Sequence, residues 1–127
     1  MIVFEHRHFS ELDSTSSYIS QQINAKASLP KFLAVSAEKQ RAGRGRYGKT
    51  WESPHGNVYL SLMLPQEALG DCESMLSLKV GVILARWIEA RFHLGISLKW
   101  PNDLLFAGRK LGGILCERLC TASTLGE

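Results

Sequence analysis

The chain has 127 residues, a net charge of +3 and 45% hydrophobic residues. This suits one domain around one core and excludes both wholesale disorder and a molecule-wide polyanion binder. The three cysteines, Cys72, Cys116 and Cys120, are odd in number with no CxxC pair. They indicate neither a disulfide framework nor a zinc centre, and read as small apolar fillers.

The opening MIVFEHRHF has no basic stretch followed by an apolar one, so it does not read as a signal peptide. Asp13 or Ser14 is placed to cap a helix in which Tyr18, Ile19, Gln22 and Ile23 share a face. Asn24 to Lys31, containing Pro30, is a connection, and Phe32 to Glu38 is a short apolar strand. Asn57 to Leu64 alternates, with Val58, Leu60, Leu62 and Leu64 facing one way and Tyr59, Ser61 and Met63 the other. Pro65 ends this strand.

From Ser74 to Phe92 the period becomes helical. Lys79, Arg86 and Glu89 form a narrow polar stripe, which predicts a helix mostly buried against a sheet. The most apolar run, Leu78 to Phe92, carries too many charges to span a bilayer, and a cytoplasmic protein is expected. Beyond Gly95, ISLKW alternates as a strand, PND turns the chain, LLF is a short strand, AGR a tight hairpin, and KLGGILCERL returns as another strand. Strands flanking long helices without regular βαβ alternation predict an α+β fold, a mixed or antiparallel sheet with helices packed on one face.

Three segments carry more than packing. In KQRAGRGRYGKTW, four of the fifteen basic residues (Arg41, Arg44, Arg46 and Lys49) fall within nine positions, among glycines 43, 45 and 48. Such a loop brings backbone N–H groups and planar guanidinium forks to an anion, and Trp51 offers a stacking face. The same composition also suits a solvated basic hairpin or an unspecific nucleic-acid grip. In KWPNDLL, Asn102 and Asp103 project from a turn, as turn residues commonly do. In GRKLGGILCE, the pair Gly112-Gly113 marks close approach of a ligand or another backbone, with Lys110 just before it.

Together, DSTS, GRGRYGKTW, KWPNDLL and RKLGGILCE resemble, in order and spacing, the catalytic domain of biotin protein ligase, from Asp13 to Glu117. The resemblance implies a class II synthetase-like α+β fold and the joining of biotin to ATP with Mg²⁺, giving biotinyl-5′-AMP and pyrophosphate. Biotin then passes to a lysine of a biotin carboxyl carrier protein. By the same resemblance, Ser14, Thr15, Ser16 and Gln40 bind the biotin ring, with Ser16 standing where the family usually has Asn. Arg44, Gly45 and Arg46 belong to a loop that folds over the biotinyl and phosphate groups, and Lys110 contacts the reacting carboxylate and the α-phosphate. Trp51 and Asn102 lie near the nucleotide, and Asp103 orients the incoming lysine or a metal.

Measured against that family, residues 1–127 read as a partial catalytic domain. A DNA-binding domain before it and a small β-domain after it are not expected. Neither nucleic acid nor a membrane is expected as a partner, and a homodimer is left open. A non-catalytic module that holds biotin or a partner, and a lipoate or octanoate ligase relative, are the alternative readings.

Overall fold

The computed structural model describes residues 1–70 and 75–120. Cys72 and the helix start at Ser74 lie outside the described residues. The architecture is α+β, as the spacing predicts, and the described residues form two three-stranded sheets, two α-helices and two short 3₁₀ turns. The described residues divide into two compact units, 1–69 with 118–120, and 70 with 75–117.

In the first unit, strand β1 (Glu5–Leu12) leads into helix α1 (Thr15–Asn24), followed by β2 (Leu33–Gln40) and β3 (Tyr59–Met63). β1 pairs parallel with β2, Arg7 against Val35 and Phe9 against Ala37, while β2 pairs antiparallel with β3. The sheet is therefore mixed. α1 starts where the sequence indicates: the extended Ser14 is its N-cap, and its hydroxyl accepts a hydrogen bond from the Ser17 N–H. Ile19 of α1 packs on Leu33 and Val35, ringed by Phe9, Leu12, Tyr18, Ile23, Leu29 and Met63. Burying each of the three central side chains stabilises the unit by about 1.5–3 kcal/mol.

β1 escapes a sequence reading because His6, Arg7 and His8 obscure its alternation. Arg7 is nevertheless drawn inward by the Tyr18 hydroxyl, 3.3 Å from its Nη1, and Phe9 meets the Tyr18 ring at 4.9 Å between centroids. The β3 alternation is present as expected. Tyr59 is buried and donates to the Pro54 carbonyl, whereas Val58, Leu60, Leu62 and Leu64 stay exposed.

In the second unit, helix α2 (Leu76–Phe92) precedes β4 (Ile96–Lys99), β5 (Asp103–Phe106) and β6 (Arg109–Gly113), an antiparallel meander. Ala107 and Gly108 both take positive φ, as a two-residue hairpin between β5 and β6 requires. α2 is less buried than its composition predicts. Only Gly81 and Ala85 are buried, one turn apart, while Ile83, Leu84 and Trp87 are exposed. The small residues decide the contact: a Cβ on Gly81 would already sit 3.3 Å from Leu98 and 3.5 Å from Ile114.

Two further expectations are corrected. The last strand ends at Gly113: the Ile114 N–H still donates to the Asn102 carbonyl, but the Ile114 carbonyl is taken by the Asn102 side-chain amide instead of a backbone N–H. Cys116 and Cys120 are exposed thiols outside regular structure and not core fillers, although partial burial of the sulfur pushes the Cys116 pKa up. Among the described residues no helix is long and apolar enough to cross a membrane.

Candidate functional site

In the first unit, the parallel pairing of β1 with β2 sets the DSTS and glycine-rich segments side by side. The ladder runs past the strand ends: Arg41 N–H donates to the Leu12 carbonyl at 2.9 Å, and Ala42 N–H to that of Asp13 at 2.8 Å. The residues that follow each strand are thereby forced together.

A buried polar cluster results. The Thr15 N–H, one of the helix-start donors without an intrahelical partner, donates to Gln40 Oε1 at 2.8 Å. Gln40 Nε2 donates to Ser53 Oγ at 2.9 Å, and Ser53 Oγ to the Trp51 carbonyl at 2.8 Å. Thr15 Oγ1 lies 2.7 Å from Ser61 Oγ, and Ser14 Oγ lies 3.0 Å from Ser16 Oγ. Ser14, Thr15 and Ser53 are at most 5% exposed. Burying so many polar groups is tolerable only when they bond one another, and among the described residues no buried side-chain polar atom lacks a partner.

The glycine-rich loop folds back on this cluster. Gly43 accepts the Trp51 N–H at 2.8 Å, Gly45 N–H donates to Lys49 at 2.7 Å, and Arg44 bridges to Thr50. Gly43 has no alternative, since a Cβ there would collide with the Trp51 carbonyl oxygen. Arg44 reaches α1, donating from Nη2 to Ser16 Oγ at 2.9 Å and from Nε to Ser17 Oγ at 3.1 Å. Arg46 lies over the Tyr47 ring, 4.7 Å from its centroid, and donates to its hydroxyl at 2.7 Å. Arg41 differs in kind, being ion-paired with Asp13 at 2.9 Å and Glu11 at 3.6 Å. Hydrogen bonding and charge from Asp13 raise its pKa further.

In the second unit, Lys110 and Asp103 form an ion pair at 3.1 Å, with the lysine half exposed and the carboxylate mostly covered. Lys110 stands opposite Leu105, which shares a strand face with Asp103, so the pair is a diagonal contact across β5 and β6. Asn102 is committed locally: its Nδ2 donates to the Ile114 carbonyl at 3.1 Å. Gly112 stands opposite Leu104, whose side chain covers it. A shallow depression lined by Ser77, Gly81, Lys99, Asn102 and Asp103 adjoins this turn.

Within the first unit, Ser14, Thr15, Ser16, Gln40 and Arg44 meet through side-chain hydrogen bonds, and the Trp51 carbonyl joins them through Ser53. Gly45 and Arg46 follow on the same loop, with Arg46 turned to Tyr47. Within the second, Lys110 meets Asp103, with Asn102 adjacent in the chain. Sequence reasoning missed Ser17, Tyr47, Ser53 and Ser61, which hold Arg44, Arg46, Gln40 and Thr15 respectively. Single serines outside the motifs, and a tyrosine within the glycine-rich one, give no signal until the fold supplies their partners.

The strand ends of this mixed sheet set a polar cluster beside a glycine-rich loop carrying two arginines, a set of hydrogen-bonding groups and positive charge with the chemistry to meet an anion. A model of the Biotin/lipoate A/B protein ligase family matches residues 9–126, and the chain belongs to that family. The bifunctional ligase/repressor BirA of Escherichia coli (strain K12) is 40% identical over 107 residues, 84% of this chain and 32% of that protein. The biotin protein ligase from Leishmania major in complex with biotinyl-5-AMP superposes with a TM-score of 0.76 at 30% identity, over 87% of this chain and 50% of that one. The ligase from Aquifex aeolicus in complex with biotin and ATP also gives 0.76 at 30% identity, over 90% of this chain and 47% of that one. The chain thus spans about a third of the length of BirA and about half of each solved chain.

Proposed function

We propose that this chain carries the machinery that activates biotin with ATP. The biotin carboxylate attacks the α-phosphorus, pyrophosphate leaves and biotinyl-5′-AMP forms. The amine of a lysine on a biotin carboxyl carrier protein then attacks the acyl carbon and AMP leaves. Two anions must meet in the first step, so the protein must bring cations where charge accumulates and exclude water. The observation that carries this reading is the loop bearing Arg44 and Arg46, laid against the polar cluster at the start of α1. Relatives that hold biotinyl-5-AMP, or biotin and ATP, support it.

In this reading Ser14, Thr15, Ser16 and Gln40 present hydroxyl and amide groups to the ureido ring. Arg44, Gly45 and Arg46 take the biotinyl and phosphate oxygens, and Trp51 and Asn102 serve the nucleotide. Lys110 places a compact ammonium at the reacting carboxylate and α-phosphate. Mg²⁺ enters with ATP, since it binds through substrate phosphates and one or two carboxylates while keeping several waters. Asp103 has the donor chemistry for this, and its carboxylate already faces a cation. We infer a cytoplasmic reaction, since it consumes ATP.

The test is incubation of the chain with biotin and MgATP, with pyrophosphate release measured first and biotinylation of a carrier domain second. Release that depends on biotin supports the proposal. Biotin binding without release would instead identify a non-catalytic biotin-holding module. Release with lipoate but not biotin would move the chain to the lipoate side of the family.

A further inference from the structure

We propose that Ser17, a residue outside the DSTS motif, is a positioning residue for Arg44. The inference rests on the anion-binding role given to Arg44 above. Arg44 offers the Nε and Nη2 of one guanidinium edge to two adjacent hydroxyls on the first turn of α1, Ser17 at 3.1 Å and Ser16 at 2.9 Å. The two hydroxyls act as a fork that fixes the plane of the guanidinium, much as a carboxylate would.

The residues next to Arg44 in the chain do not supply that orientation. Arg44 is flanked by Gly43 and Gly45, which have no side chains to pack against its stem. The anchor, by contrast, is rigid. The Ser17 N–H is bonded to the N-cap hydroxyl of Ser14, Ser16 Oγ lies 3.0 Å from that same hydroxyl, and Ser14 is buried. Ser16 and Ser17 are thus presented at fixed spacing by a capped helix.

The choice of hydroxyls has an electrostatic consequence. A carboxylate at Ser17 would hold Arg44 more tightly but cancel its charge, as Asp13 and Glu11 do for Arg41. A serine orients the cation without adding a negative charge of its own. Ser17 therefore has to combine hydrogen bonding with neutrality, which predicts a different result for each of three substitutions.

Ser17→Ala removes the hydroxyl while keeping the backbone N–H that bonds Ser14, and alanine is the better helix former, so α1 should persist. Ser17→Thr keeps a hydroxyl, and Ser17→Asp keeps an acceptor but adds a negative charge. The first readout needs no catalysis: exchange of the Arg44 Nε proton and the Gly45 amide in the ligand-free chain, by NMR. Protection should fall in Ser17→Ala, return in Ser17→Thr and be at least native in Ser17→Asp. The second readout is the KM and kcat for biotin in the pyrophosphate assay. Ser17→Ala should raise KM up to about tenfold, the low end for a hydrogen bond to a charged group because water competes at this exposed pair. Ser17→Thr should restore it, and Ser17→Asp should raise KM despite full exchange protection.

If the wild type releases no pyrophosphate, the proposed function fails while the exchange measurement still tests the positioning role. Unchanged Arg44 Nε exchange in Ser17→Ala would overturn the inference. So would a KM defect that Ser17→Thr does not repair, or one accompanied by loss of α1 helicity.

Discussion

Lys110 holds its ammonium 3.1 Å from the Asp103 carboxylate, on the neighbouring strand of the same hairpin. A pair this exposed on the lysine side adds little stability, about 0–1 kcal/mol, so its consequence is the placement of charge. If that charge serves the reacting phosphate, its contribution should grow as the transition state forms and appear in rate more than in affinity. Lys110→Ala is expected to slow single-turnover adenylation by about two to three orders of magnitude while changing the biotin Kd far less. Lys110→Arg should rescue only in part, because a planar fork cannot occupy the point of an ammonium. A normal rate with a raised biotin Kd would make Lys110 a binding residue alone.

The glycine-rich loop has a bonded base and a lightly held tip. Gly43, Gly45 and Trp51 share backbone hydrogen bonds with their neighbours, while Arg46–Gly48 forms a short 3₁₀ turn with Tyr47 exposed at φ 57°. Ordering such a tip costs about 1–2 kcal/mol per residue in backbone entropy. Amide exchange should therefore be slower for Gly45 and Trp51 than for Tyr47 and Gly48 in the ligand-free chain. Biotinyl-5′-AMP should slow exchange across Arg41 to Lys49. Identical protection with and without the adenylate would count against closure of the loop on a ligand.

Nucleic acid is expected to bind weakly, because Arg41, one of the four clustered cations, is engaged by Asp13 and Glu11. A cluster this small neutralises few phosphates and so releases few counterions, which gives a shallow salt dependence and little affinity. Fluorescence anisotropy with a short DNA duplex or single strand should show binding lost near physiological salt. A sequence-specific complex that survives such salt would contradict this.

Gly43→Ala should destabilise the first unit by about 1–3 kcal/mol, the usual range for overpacking a filled site. The added Cβ meets the Trp51 carbonyl and crowds Ser53, neither of which moves without breaking the Gln40–Ser53 contact. Urea denaturation compares it with Gly45→Ala, where the nearest neighbour of a new Cβ is 3.5 Å away and the loss should be smaller.

Local chemistry made much of this structure legible in the sequence. Ser14 caps α1 because a hydroxyl before an apolar-periodic run satisfies helix-start donors, and the β5–β6 hairpin follows from Ala107-Gly108 between alternating strands. What escaped depends on partners distant in the chain. β1 is a strand because Arg7 and Phe9 find Tyr18, and α2 is mostly exposed because only its Gly81–Ala85 strip meets a sheet. The motif residues could be marked in advance, but not the serines and tyrosine that hold them, since a single hydroxyl acquires meaning only from what lies within 3 Å.

The parallel pairing of β1 with β2 has a consequence for how this protein can change. Leu12 stands opposite Gln40, so the DSTS and glycine-rich stretches leave the sheet at the same end whatever route the chain takes between the strands. Insertions between Asn24 and Lys31 should be absorbed readily, because lengthening a connection adds only a slowly growing entropic cost. A slip of one residue in the β1–β2 register would instead turn Arg7 and Phe9 away from Tyr18 and carry Thr15 off Gln40 in a single step. Variation in this region is thus channelled: the connection is free to drift in length and composition, while the strand alignment is inherited whole or lost.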